Sequence, residues 1–106
     1  MSDTKASLEI RHDSDDAGGA FVVPGPEVDG GPGRLAAMVY RRRAPDRVTI
    51  VHTEVDDSLR GQGVARRLLD ALVAWARATG ARVAATCPYA KAQLDKDESL
   101  RDVYDA

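Results

Sequence analysis

The sequence has one cysteine, Cys87, and only two histidines, so it lacks the side chains that an internal disulfide or a structural zinc site needs. It also lacks an apolar run of the roughly 20 residues that span a membrane. No basic stretch followed by an apolar core opens the chain, so no secretory signal is predicted and the cytoplasm is the expected compartment. These absences predict a soluble protein with no metal and no membrane partner.

Neither sign of charge is in large excess, because 15 Lys and Arg residues face 17 Asp and Glu residues and the net charge is -2. A protein that wraps nucleic acid has a basic surplus, so nucleic acid is not an expected partner. The length of 106 residues, with 43% hydrophobic and 30% charged residues, fits one globular domain. We expect residues 1–6 to be a flexible N-terminus and residues 7–106 to form that domain.

Five short runs of alternating or β-branched residues predict strands. They cover residues 8–11, 20–23, 35–40, 47–55 and 82–86. Residues 13–19 are predicted as a turn, and the Pro/Gly-rich residues 24–33 as a loop. The run 35–40 is apolar on both faces, which is typical of a strand covered on both sides. A turn at residues 44–46 predicts a hairpin of the third and fourth strands.

The fourth predicted strand contains two candidate catalytic side chains. A period of two places Val48, Ile50, His52 and Glu54 on one face, and Thr49, Val51, Thr53 and Val55 on the other. His52 and Glu54 could both reach an amine at the end of the strand, and either could act as a general base. The alternative is a hydrogen-bonded structural histidine beside a solvated glutamate.

The strongest helical pattern covers residues 63–79, where apolar residues recur every three or four positions. Gly80 is the predicted C-terminal cap. A second helix is predicted at residues 90–95 and a final turn at residues 99–104. Four strands, a helix, a strand and a helix predict an α/β (α+β) fold, in which one crossover helix joins a parallel strand pair of a mostly antiparallel sheet.

A glycine-rich corner, Arg60-Gly61-Gln62-Gly63-Val64-Ala65, opens the long helix. Exposed N–H groups at a helix start carry a partial positive charge, and the two glycines let a phosphate approach the backbone. The corner lacks the Gly-Lys-Ser/Thr of a nucleotide P-loop and the Gly-x-Gly-x-x-Gly of a dinucleotide fold. Glycines that serve only the geometry of the turn are the alternative interpretation.

Arg60-x-x-Gly63-x-Ala65 resembles the Q/R-x-x-G-x-G/A signature of the GNAT N-acetyltransferase superfamily, whose loop binds the pyrophosphate of acetyl-CoA. With His52-Thr53-Glu54-Val55 before this loop and Cys87-Pro88-Tyr89 after the next strand, the chain resembles the very small GNAT-like N-acetyltransferases that carry a Cys-Pro-Tyr motif. It departs from their pattern in having Asp56-Asp57-Ser58 where a proline or similar residue is usual, and in the apparent insertion at residues 24–33.

The resemblance implies a minimal GNAT fold, in which the strands before and after the crossover helix splay apart and the pantetheine arm of acetyl-CoA lies between them. The implied cofactor-binding residues are Val55, Arg60, Gly61, Gln62, Gly63, Val64 and Ala65. Near the acyl group, the N–H of Val55 or of a neighbour would polarise the thioester carbonyl, and Tyr89 would protonate the leaving CoA thiolate. Cys87 is a candidate acetyl-carrying nucleophile, or else a small buried hydrophobe.

The expected activity is acetyl transfer from acetyl-CoA to an unidentified amine, by direct attack on the thioester or through Cys87. The catalytic candidates are Cys87, His52, Glu54 and Tyr89. A CoA-binding or protein-interaction module with little catalysis is an alternative, and a different phosphate binder that handles nucleotides is another. We expect a monomer or a weak homodimer, because an incompletely covered strand edge permits self-association.

Overall fold

A computed structural model describes residues 9–28 and 31–105. The elements are β1 (Arg11–Asp15), β2 (Gly18–Val28), β3 (Gly31–Ala44), β4 (Arg47–Val55), α1 (Val64–Thr79), β5 (Arg82–Ala85) and α2 (Pro88–Lys96). The five strands form one sheet in the order β1-β2-β3-β4-β5, antiparallel except for the parallel pair of β4 and β5. The predicted element order and α/β architecture are confirmed, whereas the predicted flexible residues 1–6 lie outside the described ranges.

One apolar core lies between the two helices and one face of the sheet. Helix α1 contributes Val64, Leu68, Leu69, Leu72, Val73 and Ala76, all buried, at the predicted helical spacing. Gly80 ends this helix with a φ of 77°, as predicted for a C-terminal glycine cap.

The helices cover only one face of β3, the face that carries Ala36, Met38 and Tyr40. Val39, on the other face, is only half-buried, and no helix of the described ranges packs there. The prediction that residues 35–40 are covered on both sides is therefore correct for Ala37, which lies on the same face as Val39 and is 0% exposed, and wrong for Val39. Small apolar side chains on an open face give the same sequence pattern as a strand buried on both sides.

The first predicted strand and turn are misplaced. Strand β1 begins at Arg11, where the predicted strand 8–11 ends, and it includes Asp13, which was expected to begin a turn. The turn itself is confined to residues 16–17. All five residues of β1 are exposed because it is an edge strand, so it has no apolar alternation that a sequence pattern could reveal.

The predicted loop at residues 24–33 is wrong wherever the structure describes it, because residues 24–28 extend β2 and residues 31–33 begin β3. Strand β1 pairs only with residues 18–22 of β2, so Pro24 lies beyond it and its missing N–H breaks no hydrogen bond to β1. Register irregularities after Val23 and after Gly25 accommodate this segment. Residues 29–30 lie outside the described ranges.

The predicted hairpin of β3 and β4 is confirmed, and it contains a β-bulge. Tyr40 lies opposite Ile50, whereas the preceding residue of β3, Val39, lies opposite His52. Val51 is therefore an extra residue in β4, and it reverses the alternation of faces after it.

The bulge overturns the predicted faces of the second half of β4. Thr53 and Val55 share the helix-covered face with Ile50, while His52 and Glu54 point to the open face. The prediction that His52 and Glu54 share a face is correct, but they do not share it with Ile50. A strict period of two cannot anticipate an inserted residue.

The outer edge of β5 is closed by the segment that follows α2. Val83 N–H donates to the carbonyl of Val103 at 2.7 Å, and Asp105 N–H donates to the carbonyl of Val83 at 2.7 Å. This segment satisfies backbone groups that an edge strand would otherwise expose. Within the described residues, no helix is long and apolar enough to cross a membrane, and no group of three or more His, Cys, Asp or Glu side chains could hold a metal ion.

Candidate functional site

The parallel strands β4 and β5 separate before β4 ends. Residues 47–50 pair with residues 82–85, but β4 continues to Val55. The N–H groups of Thr86 and Cys87 both donate to the carbonyl of the last paired residue of β4, at 2.9 and 3.2 Å, and the chain then turns into α2. The second half of β4 thus faces a cleft with a backbone edge that no described strand pairs.

A hollow of about 260 Å³ lies between the end of β4 and the start of α1. It is lined by Val55, residues 59–61, residues 63–66 and Tyr89. The short 3-10 turn Asp57–Leu59 leads into it, and the Asp56 carboxylate caps this turn by accepting from Ser58 N–H at 2.9 Å.

Gly61 and Gly63 form the corner of the hollow, with φ of 79° and 70° in the left-handed region that glycine favours. No side chain caps α1, and its first hydrogen bond joins Arg67 N–H to Gly63 O at 3.1 Å. The N–H groups of residues 64–66 therefore have no acceptor within the helix. A Cβ at either glycine would meet no heavy atom within 4 Å, so these donors border open space that suits an anion.

Arg60 lines the hollow and Gln62 does not. The Nε of Arg60 lies 3.0 Å from Asp57 Oδ1, and the two side chains are 77% and 87% exposed. Such an exposed ion pair is weak, so the guanidinium can exchange Asp57 for a phosphate. The Gln62 side chain instead donates to the carbonyl of Ser58 at 3.3 Å, which leaves its backbone as the candidate contact.

Cys87 and Tyr89 reach the cleft from the start of α2. Cys87 is 5% exposed, and its Sγ lies 3.3 Å from Oγ1 of Thr53. Tyr89 is half-buried beside the hollow, and burial raises the pKa of its hydroxyl, which therefore stays protonated at neutral pH. Thr53 was missed by sequence reasoning, because only the bulge turns it toward Cys87.

His52 and Glu54 contact each other on the open face of β4. His52 Nε2 lies 3.2 Å from Glu54 Oε1, and Arg34 Nε donates to Glu54 Oε2 at 2.9 Å. Burial raises the pKa of Glu54, but the hydrogen bonds and charges of Arg34 and His52 outweigh it and hold the pKa below its usual range. No sequence pattern points to Arg34, because only the pairing register of β3 and β4 brings it into contact with Glu54.

The candidate residues therefore lie on two sides of β4. The glycine corner, Cys87 and Tyr89 are on the helix side, and the pair of His52 and Glu54 is on the open side. The unpaired edge of residues 51–55 lies between them. This arrangement can bind an extended molecule with an anionic end and expose its other end to side chains from both faces.

Comparison with known proteins agrees with this geometry. A sequence profile described as GCN5-related N-acetyl-transferase matches residues 26–103. The solution structure of a GCN5-like protein from Staphylococcus aureus is 35% identical with a TM-score of 0.70, over 93% of this chain and 89% of that one. No curated protein has significant similarity to the sequence.

Two further solved structures share the fold at lower identity. Ribosomal-protein-alanine N-acetyltransferase from Brucella melitensis biovar Abortus 2308 is 19% identical, with a TM-score of 0.56 over 87% of this chain and 64% of that one. Aminoglycoside N-acetyltransferase AAC(6')-Iy, solved in complex with CoA, is 22% identical, with a TM-score of 0.50 over 81% of this chain and 68% of that one. The profile match and the 35% identical structure together show that this chain belongs to the GCN5-related N-acetyltransferase (GNAT) family.

Proposed function

We propose that this N-acetyltransferase binds the pyrophosphate of acetyl-CoA at the glycine corner and its pantetheine arm along the unpaired edge of β4, and transfers the acetyl group to an amine. The observation that carries the proposal is that this edge and the uncapped start of α1 meet at one hollow. A relative with the same fold was solved with CoA, which agrees with this choice of ligand.

The residues at the hollow fit the parts of CoA. Free N–H groups of residues 64–66 and the Arg60 guanidinium suit the phosphates, and the open space over Gly61 and Gly63 leaves room for them. The amides of pantetheine can pair with the bare edge of β4 as an added strand would.

Acetyl-CoA supplies an acetyl group activated as a thioester. Because Asp56 N–H donates to Leu35 of β3 at 2.6 Å, the N–H of the preceding residue, Val55, points the other way, into the cleft. There it can polarise the thioester carbonyl, and preorganised donors of this kind contribute about 3 to 4 kcal/mol of transition-state stabilisation.

Proton transfers accompany the exchange of bonds at the carbonyl carbon. The amine nitrogen bonds to that carbon while the bond to sulfur breaks. The pair of His52 and Glu54 takes the proton from the amine, and the Tyr89 hydroxyl gives a proton to the departing sulfur. Because Tyr89 and the histidine pair lie on opposite sides of β4, the donor and the acceptor do not exchange their proton directly.

Direct attack is the proposed route, and transfer through Cys87 is the runner-up. The thiol is buried and already contacts Thr53, which disfavours it as an accessible nucleophile. The variant Cys87→Ala distinguishes the routes. Loss of all transfer with intact CoA binding would favour an acetyl-cysteine, whereas substantial residual turnover would exclude it.

Within the family, we place this chain among the very small members that carry Cys-Pro-Tyr, at Cys87-Pro88-Tyr89. Its similarity to the Staphylococcus aureus protein supports this placement, because the match covers 89% of that chain and leaves little room for further elements there. The open face of the sheet, without a helix in the described ranges, is the side from which the amine would approach.

Calorimetric titrations with CoA and with ATP, side by side, test the cofactor site. We expect CoA to bind and ATP to bind far more weakly; ATP binding without CoA binding would overturn the assignment. Labelled acetyl-CoA incubated with a panel of amines, followed by mass spectrometry, tests the transfer. CoA binding with neither transfer nor hydrolysis would support a CoA-binding module with little catalysis instead.

A further inference from the structure

We propose that Arg34 is a positioning residue of this active site, which holds Glu54 as the carboxylate that orients His52, so that His52 takes the proton of the acceptor amine. The inference rests on the proposed function, in which either residue of the pair could be the base. It gives the two residues different roles and adds a third residue that no sequence motif contains.

The contacts of Glu54 make it a poor base. Both of its carboxylate oxygens already accept a hydrogen bond, Oε2 from Arg34 at 2.9 Å and Oε1 at 3.2 Å from His52. These contacts hold the pKa of Glu54 below its usual range despite the opposing effect of burial. An effective general base has a pKa near the working pH, and the contact with Arg34 moves the pKa of Glu54 away from that value.

The contacts of His52 leave it able to accept a proton. Its Nε2 faces Glu54, so the hydrogen-bond network assigns the ring proton to Nε2, and Nδ1 has no partner among the described residues. The side chain is 58% exposed, so an amine can reach it. A carboxylate that fixes the tautomer of an imidazole and stabilises its protonated form is a recurring catalytic device.

Arg34 is the cation in contact with this pair. On the same face, Arg11 and Asp13 of β1 lie three strands away, Arg11 in the cross-strand row of Glu54 and Asp13 in that of His52. The Nε of Arg11 is itself 3.2 Å from Glu9 Oε2. Thr86, which follows β5, has a hydroxyl side chain, and the thiol of Cys87 is buried against Thr53 on the helix side of β4. Arg34 therefore offsets part of the negative charge of Glu54 that acts on His52.

A titration of the His52 ring by NMR tests the proposal without any substrate. The variant Arg34→Met removes the charge and Arg34→Lys keeps it. Arg41→Met is the matched control, because Arg41 lies on the same strand as Arg34 and both line a second cavity, on the open face of the sheet, but Arg41 lies opposite Thr49. The only other histidine of the sequence is His12, which gives an internal reference, and His52→Gln assigns the signals.

We expect the His52 ring signals to titrate at higher pH in Arg34→Met than in Arg41→Met, because the Glu54 charge then acts unopposed. In Arg34→Lys and Arg41→Met the His52 signals should titrate close to those of the wild type. The pH at which kcat/KM falls on the acid side should rank the variants in the same order. Glu54→Gln should weaken transfer less than His52→Gln, because the amide oxygen still accepts from Nε2.

A shift in Arg34→Met no larger than that in Arg41→Met would overturn the role of Arg34. Loss of all transfer in Glu54→Gln, with turnover retained in His52→Gln, would overturn the division of roles. The NMR measurement needs neither acetyl-CoA nor an acceptor, so it decides the positioning of His52 by itself. Failure of the wild type to acetylate any amine of the panel would instead count against the proposed function.

Discussion

The two ends of α1 offer a matched pair of substitutions that separates cofactor binding from backbone strain. Gly63 before the helix and Gly80 after it have φ of 70° and 77°. A Cβ at either position would meet no heavy atom within 4 Å. Alanine therefore introduces left-handed strain without a clash, at a cost of about 1 kcal/mol in either place.

We expect Gly63→Ala and Gly80→Ala each to lower the free energy of unfolding by about 1 kcal/mol, or the Tm by roughly 4 to 6 °C for a domain of this size. Only Gly63→Ala should weaken CoA binding, because Gly63 lies beside the free N–H groups of residues 64–66. A corner that relaxes and loses one charge-assisted hydrogen bond, worth about 1.5 to 3 kcal/mol, raises the Kd of CoA roughly ten- to hundredfold.

Thermal unfolding and CoA calorimetry on both variants, at one pH and one salt concentration, give the two numbers. Unchanged CoA affinity in Gly63→Ala would refute the pyrophosphate site at the corner. An equal loss of affinity in Gly80→Ala would refute it as well, because that glycine lies at the far end of the helix. A Tm unchanged in both variants would refute the strain argument.

Three further predictions concern the proposed proton donor Tyr89, the stability of the fold at low pH and the β-bulge at Val51. Tyr89→Phe should lower the kcat of acetyl transfer roughly ten- to hundredfold with little change in CoA affinity, measured by thiol release, and an unchanged kcat would remove Tyr89 from the acid role. Hydrogen bonds from Ser99 and Arg66 hold the pKa of Asp97 at about 2, below its ordinary value of 3.8. The stabilisation of the fold by these hydrogen bonds is complete above pH 3.8 and is lost as the pH falls toward 2. Asp97→Asn should therefore lose less stability over this interval than the wild type, as followed by circular dichroism during acid unfolding. An identical curve would contradict the contact. Deletion of Val51 should leave a folded protein, because the remaining residues of β4 then alternate regularly with the same faces, and loss of the folded state would contradict the observed register.

Features with a local signal were predictable from the sequence. The apolar spacing from Val64 to Ala76 specifies the buried face of α1 by itself, and Gly63 and Gly80 mark its ends through their own conformational freedom. The crossover helix then requires a parallel strand on its far side, which β5 supplies. These features place the corner and the cleft, and so the candidate cofactor site.

Features that depend on pairing were not predictable. The polar residues of β1 form a strand only because β2 offers a partner, and Pro24 is tolerated in β2 only because β1 has ended. The contacts of Arg34 with Glu54 and of Thr53 with Cys87 join residues far apart in the sequence, and one inserted residue in β4 decides both faces involved. No short motif contains this information.

The bulge and the departure of β5 occur at the same level of β4, and together they account for the division of the site. The carbonyl of Ile50 accepts the last two hydrogen bonds from the β5 side, and Val51, the next residue, is the bulge. On one side of this point the backbone edge opens for a ligand. A regular strand would have put His52 on the helix side, in the apolar core with Tyr89, where an unpaired imidazole is costly to bury. The bulge instead leaves His52 exposed on the open face, where the proposed mechanism needs a base, while Tyr89 stays beside the hollow.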